Sequence, residues 1–127
     1  MSEKFFFSWG MILSGVLMNV LGMYMVKAVI NKLGSFSFDS FQAIIAYFFK
    51  LACFPVAILG AIFILIAPLP YAIALSRMEI SIAYPVSVAL TCLILLPLTV
   101  LFLGESINGF KIAAIGLILV GVYLFYK

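Results

Sequence analysis

The chain of 127 residues contains no histidine. That excludes an imidazole switch near neutral pH and a histidine-based metal site. Charge is also scarce. Only 9% of residues are charged, against about 25% in a water-soluble domain. The acids are Glu3, Asp39, Glu79 and Glu105. They lie at the terminus or in polar connections, and none falls in the middle of an apolar run. Carboxylates inside a membrane are costly and mark proton or cation relays. Their absence at that depth argues against proton-for-cation antiport. No glycine-rich P-loop pattern occurs, so ATP hydrolysis within this polypeptide is excluded. Cys53 and Cys92 are the two cysteines. They sit in apolar runs without Cys-x-x-Cys spacing, which points to packing rather than to a disulfide or a metal. No nucleophile–base pair or metal cluster is visible, so neither an enzyme nor a cofactor is expected.

What is present is apolar. Hydrophobic residues make up 68% of the chain, and the mean hydropathy is +1.39. Each long segment is apolar all round, which no soluble core could bury. The net charge of +3 comes from basic residues scattered singly at segment ends. This is the usual pattern of a membrane protein and not of a nucleic-acid binder. A bilayer core about 30 Å thick needs roughly 20 apolar residues per helix. Four runs approach that length: about 5–30, 51–75, 80–103 and 110–125. The expectation is an all-α integral membrane protein, one domain over 1–127, with four transmembrane helices. A signal peptide is not expected, since the first run is too long and no cleavage site followed by a soluble domain appears. Residues 41–50 are apolar and aromatic but too short to span. Asp39-Ser40 can cap a helix there, so this piece reads as a short interfacial helix or an extension of the second span.

Proline punctuates the second and third spans at positions 55, 68, 70, 85 and 97. Of these, Pro97 is expected to kink the third span and Pro85 to disturb it less. In the first span Ser8, Met11, Gly15, Asn19 and Gly22 share a helical face. Small residues there allow a close neighbour, so Asn19 projects into the bundle. It acts either as interhelical hydrogen-bonding glue or as a substrate contact. In the third span Ser81, Tyr84, Ser87 and Thr91 form one polar stripe. Gly109, Ala113 and Gly116 give the fourth span close-packing spacing. Lys27 lies about 12 Å along the helix from Asn19 at 1.5 Å per residue. It either snorkels to the interface or offers a phosphate-binding cation near the membrane surface.

The run from Asn19 to Lys27, Ile-Ala-Tyr ending at Tyr84, the Gly104-Glu105 turn and the glycines of the fourth span together resemble the small multidrug resistance transporters of the drug/metabolite transporter superfamily. Members of that family carry a glutamate in the first helix, then a glycine, then a lysine eight residues after the acid. Here the glycine and lysine fall on Gly22 and Lys27, and Asn19 takes the place of the glutamate. The family's matching tyrosine lines the binding chamber, which marks Tyr84, and its fourth helix builds the dimer contact, which marks Gly109, Ala113 and Gly116. A tryptophan usual in the family is Ser87 here, which weakens the case for an aromatic-cation drug site. The connection at about 35–50 is longer than the family's.

The chain is similar to a branch of short four-helix proteins that lack the first-helix glutamate, including paired subunits proposed to flip aminoarabinose-phosphoundecaprenol. The resemblance implies a transporter or flippase subunit for an amphipathic or polyprenyl-phosphate-linked substrate, in the bacterial inner membrane. Asn19, Tyr84, Ser87, Thr91 and Lys27 are then the substrate-binding candidates. The alternatives are an exporter of a cationic or polar metabolite and a non-transporting accessory subunit of a membrane complex. Lys4, Arg77 and Lys127 fall on one side of the membrane, and Lys27, Lys32, Lys50 and Lys111 on the other. Such balance allows insertion in both orientations. A homodimer, antiparallel as in the family, or a heterodimer with a paralogue is expected.

Overall fold

A computed structural model describes residues 2–36, 39–125 and 127, and every regular element among them is an α-helix. The first helix, α1, runs Ser2–Leu33 without a proline. Glu3 in its first turn and Lys32 in its last complement the helix dipole. It stops at Gly34, whose φ of 87° is a left-handed conformation that glycine adopts without a Cβ clash.

The short helix α2 covers Phe41–Ala52. Ser40 caps it, its Oγ accepting from the Ala43 N–H at 3.2 Å. Cys53 and Phe54 then interrupt the chain, and Pro55 opens α3, Pro55–Ile66, from an extended Phe54. The aromatic piece is therefore a separate helix and not an extension of the second span. It has no buried residue. Phe41, Ile45, Phe48 and Phe49 are exposed along one of its faces.

The second span is itself divided into α3 and α4, Pro68–Leu75. Pro68 and Pro70 cannot donate to the carbonyls of Ile64 and Ile66, so the ladder loses two rungs within three residues. Ala67 at the joint keeps αR angles, φ −51° and ψ −36°. The joint is thus a gap in hydrogen bonding rather than a turn. By contrast α5, Ile80–Leu103, continues through both Pro85 and Pro97. The expected kink site at Pro97 thus lies within one continuous helix, and the break in the second span falls at its paired prolines, where two donors are lost within three residues rather than twelve apart. α5 ends at Gly104, with φ 66°, and the Glu105 N–H closes the cap on the Thr99 carbonyl at 3.2 Å. α6, Gly109–Phe125, completes the chain.

Among the described residues, three helical stretches are long and apolar enough to cross a membrane: Glu3–Leu33, Pro55–Leu75 and Ile80–Leu103. α6 is shorter, with 17 residues, which is about 25 Å at 1.5 Å per residue. α1 is the hub and packs against α3, α4 and α5. Its Ile12, Val16 and Val20 form the core with Ala74 and Ala83. The closest crossing is with α3. A Cβ on Gly22 would lie 2.5 Å from the Gly60 carbonyl oxygen, and one on Gly60 would lie 2.8 Å from that of Gly22. Backbone meets backbone there, as small residues permit in membrane helices. α6 packs on α5 alone and buries none of its residues.

Candidate functional site

Halfway along α1, a cavity of about 280 Å³ opens between α1, the α3–α4 joint and α5. Gly15, Val16 and Asn19 form one wall, Ile64, Ala67, Pro68 and Tyr71 the second, and Ser87 and Thr91 the third. Gly15 makes the space possible, since a Cβ there would stand 3.0 Å from the Ala67 carbonyl oxygen. Three of the residues selected from sequence, Asn19, Ser87 and Thr91, therefore meet in one place.

The polar atoms of this cavity are unevenly satisfied. Ser87 donates its hydroxyl to the Tyr84 carbonyl at 2.8 Å, and Thr91 donates to the Ser87 carbonyl at 2.7 Å. Both donors are spent within α5, which leaves oxygen lone pairs as acceptors. The Asn19 side chain makes no hydrogen bond within the described chain. The Tyr71 hydroxyl is buried and also lacks a partner. The Asn19 amide supplies two N–H donors and one acceptor. Ile64, whose carbonyl Pro68 cannot serve, is a residue of the same wall. No charged side chain lines the cavity. This arrangement suits an uncharged group rich in donors and acceptors, such as hydroxyls or amides, and offers nothing to neutralise a cation.

Tyr84 is elsewhere. It is 61% exposed and does not line the cavity. The expected common chamber of Asn19 and Tyr84 is not formed within the chain. Tyr84 and Thr91 are seven residues apart and share a face of α5, yet of the stripe only Ser87 and Thr91 line the cavity. The tyrosine that does reach the cavity, Tyr71, was missed from sequence. The signal that could have found it is its place directly after the Pro68-Leu69-Pro70 break, in an otherwise aliphatic run.

Lys27 belongs to a second space. A groove of about 480 Å³ lies between α1, α5 and α6. It exists because α6 rests on α5 without reaching α1. Its walls are mostly apolar, with Met23, Leu95, Leu96 and Ile115 among them, and its mouth carries Lys27, Glu105 and Lys111. The Lys27 Nζ stands 3.9 Å from a Glu105 carboxylate oxygen. Lys111 donates from Nζ to the Ser106 carbonyl at 2.7 Å, and its N–H donates to the Asn108 side chain at 3.0 Å. Glu105, read from sequence as a turn residue, is thus also the ion partner of Lys27. Glu79 receives the Ser81 hydroxyl at 3.5 Å, and Arg77 lies 5.1 Å over the Phe7 ring. Asn19, Met23 and Lys27 follow one another in steps of four on α1, as Ser87, Thr91, Leu95 and Thr99 do on α5. Cavity and groove therefore succeed each other along the same pair of helices.

Gly109, Ala113 and Gly116 are exposed on α6. A Cβ added at Gly109 or Gly116 would meet nothing within 4 Å. No cluster of potential metal-ligating side chains occurs among the described residues. The chain matches no family model, no curated protein and no solved structure.

Proposed function

We propose that this chain is one protomer of a small four-span membrane transporter, similar to the glutamate-lacking branch of the small multidrug resistance family. It moves an amphipathic or lipid-linked substrate with a polar, uncharged head portion across the bacterial inner membrane. The observation that carries this reading is the cavity at the middle of α1, where Asn19 presents an unpartnered amide beside an interrupted helix. Unsatisfied polar groups in hydrocarbon cost several kcal/mol each. They persist where water or a ligand satisfies them. Irregular backbone at membrane depth is tolerated where it lines such a cavity, and transporter sites are commonly built on broken helices.

The fourth span is α6, whose short apolar length a thinned bilayer or its lysine-bearing first turn accommodates. α2 lies in the interface, its Phe41, Ile45, Phe48 and Phe49 edge toward acyl chains. Lys27 and the groove form the approach to the cavity from one membrane face. Tyr84 faces outward, where a second chain rather than the cavity meets it. The absence of an acid from the cavity counts against export of a cation.

The test is flux in proteoliposomes with a fluorescent prenyl-phosphate sugar, read by chemical quenching of the outer leaflet. Asn19→Leu should slow the flux about three- to tenfold, the equivalent of one hydrogen bond or slightly more, with unchanged folding yield. If the parent protein, well folded and oligomeric, moves no more probe than empty vesicles, the transport reading is wrong and the accessory-subunit reading replaces it.

A further inference from the structure

The groove between α1, α5 and α6 has a feature that its apolar walls do not need. Two lysines and one carboxylate stand together at its mouth, with Lys27 3.9 Å from Glu105 and Lys111 on the same rim. The sum of the three formal charges is one positive. The pair is loose. Its side chains are 47% and 40% exposed, and an ion pair so open to solvent is readily exchanged. Its position is nevertheless imposed. The α5 cap ties the Glu105 N–H to Thr99, and Asn108 caps α6 just before Lys111. Below the rim, Met23, Leu95, Leu96, Ala114, Ile115 and Ile118 continue the groove without charge.

We propose that this groove docks an anionic lipid. The lipid's phosphate displaces the Glu105 carboxylate from Lys27 and draws the Lys111 ammonium from the Ser106 carbonyl, and an acyl or prenyl chain lies along Leu95, Leu96, Ile115 and Ile118. Charge complementarity selects the occupant. A phosphate brings up to two negative charges to two ammonium groups, where Glu105 brings one. The length of apolar wall beneath the rim selects a lipid over a free phosphate. Glu105 is then an internal competitor. It neutralises Lys27 when the groove is empty and swings to solvent when the phosphate arrives. The proposal rests on the membrane-spanning reading and on Lys27 as part of the approach, but not on transport itself.

The experiment is native mass spectrometry of the full chain in detergent, titrated with dioleoyl phosphatidic acid and, separately, with dioleoyl phosphatidylcholine. The expected result is preference for the phosphatidic acid by tenfold or more. Lys27→Gln with Lys111→Gln should remove that preference. Glu105→Gln should strengthen binding severalfold, because the competitor is gone. Ile115→Trp, which fills the groove, should weaken binding of both lipids. Arg77→Gln should leave binding unchanged. Circular dichroism and elution volume serve as the folding controls. Equal binding of the two lipids, or weaker binding by Glu105→Gln, overturns the proposal. So does full displacement of the lipid by inorganic phosphate, which would mark a free-anion site. Loss of binding in Arg77→Gln would move the lipid to the other end of the bundle and removes the groove as the site. If docking behaves as expected while flux is absent, the transport reading falls and this one stands.

Discussion

A tyrosine hydroxyl that is buried without a partner is a liability unless something outside the chain completes it. Tyr71 is in that position, and its neighbours Ser87 and Thr91 have already committed their protons to α5 carbonyls. A buried unsatisfied hydroxyl costs about 1–3 kcal/mol. Tyr71→Phe should therefore leave the melting temperature in detergent unchanged or raise it, while lowering flux severalfold. A fall in melting temperature would mean that the hydroxyl is structural and the cavity is not a ligand site. The sequence made one half of this cavity legible and hid the other for a physical reason. Asn19 declares itself because an amide in a long apolar run has no bland place to go except the bundle interior. Tyr71 does not, because a tyrosine in such a run is equally at home packed in a core or set at the interface. Tyr84, of the same polar stripe as Ser87 and Thr91, is exposed and is not among the residues that line the cavity of this chain.

At the scale of elements, glycine and proline divide the work. Gly22 and Gly60 let α1 and α3 touch backbone to backbone, while Pro68 and Pro70 open the ladder opposite Asn19. A side chain at position 60 must push on the Gly22 carbonyl or on Met25, neither of which can retreat far. Gly60→Val should destabilise the bundle by about 1–3 kcal/mol, the range for overpacking, visible as earlier thermal aggregation. Gly109→Val, where a Cβ meets nothing, is the matched control and should be nearly neutral in the monomeric bundle. Equal effects at both positions would contradict the crossing. The three stretches long and apolar enough to span, among the described residues, could be read from the apolar runs, since run length alone carries them, whereas the division into six helices could not. The separation of α2 from α3 at Cys53-Phe54 could not. Proline is compatible with either a kinked continuation or a fresh start, and hydropathy does not change across the joint.

The whole molecule separates charge from its interior. Lys4 and Arg77 border one cavity of about 440 Å³ at one end, Lys27, Glu105 and Lys111 gather at the other, and the central cavity has none. Without a carboxylate in that cavity, a proton gradient has no group there to act through, and Asn19 does not ionise. Flux of the lipid probe should be the same with and without an imposed pH gradient. A strong gradient dependence that disappeared on replacing one of the four acids would refute this. The proposed dimer draws on the same view. Three walls of the cavity come from one chain, yet α6 touches only α5 and leaves Gly109, Ala113 and Gly116 uncovered. In a bilayer no hydrophobic force drives helices together, so association depends on close van der Waals packing over small residues. Gly116 is the centre of that surface, and an aromatic ring there has open space within the chain but none against a second helix. Gly116→Phe should therefore leave the bundle folded, with unchanged circular dichroism, and strongly reduce crosslinked dimer. Crosslinking equal to that of the parent would place the contact on another face, with the exposed Tyr84 side of α5 as the next to test.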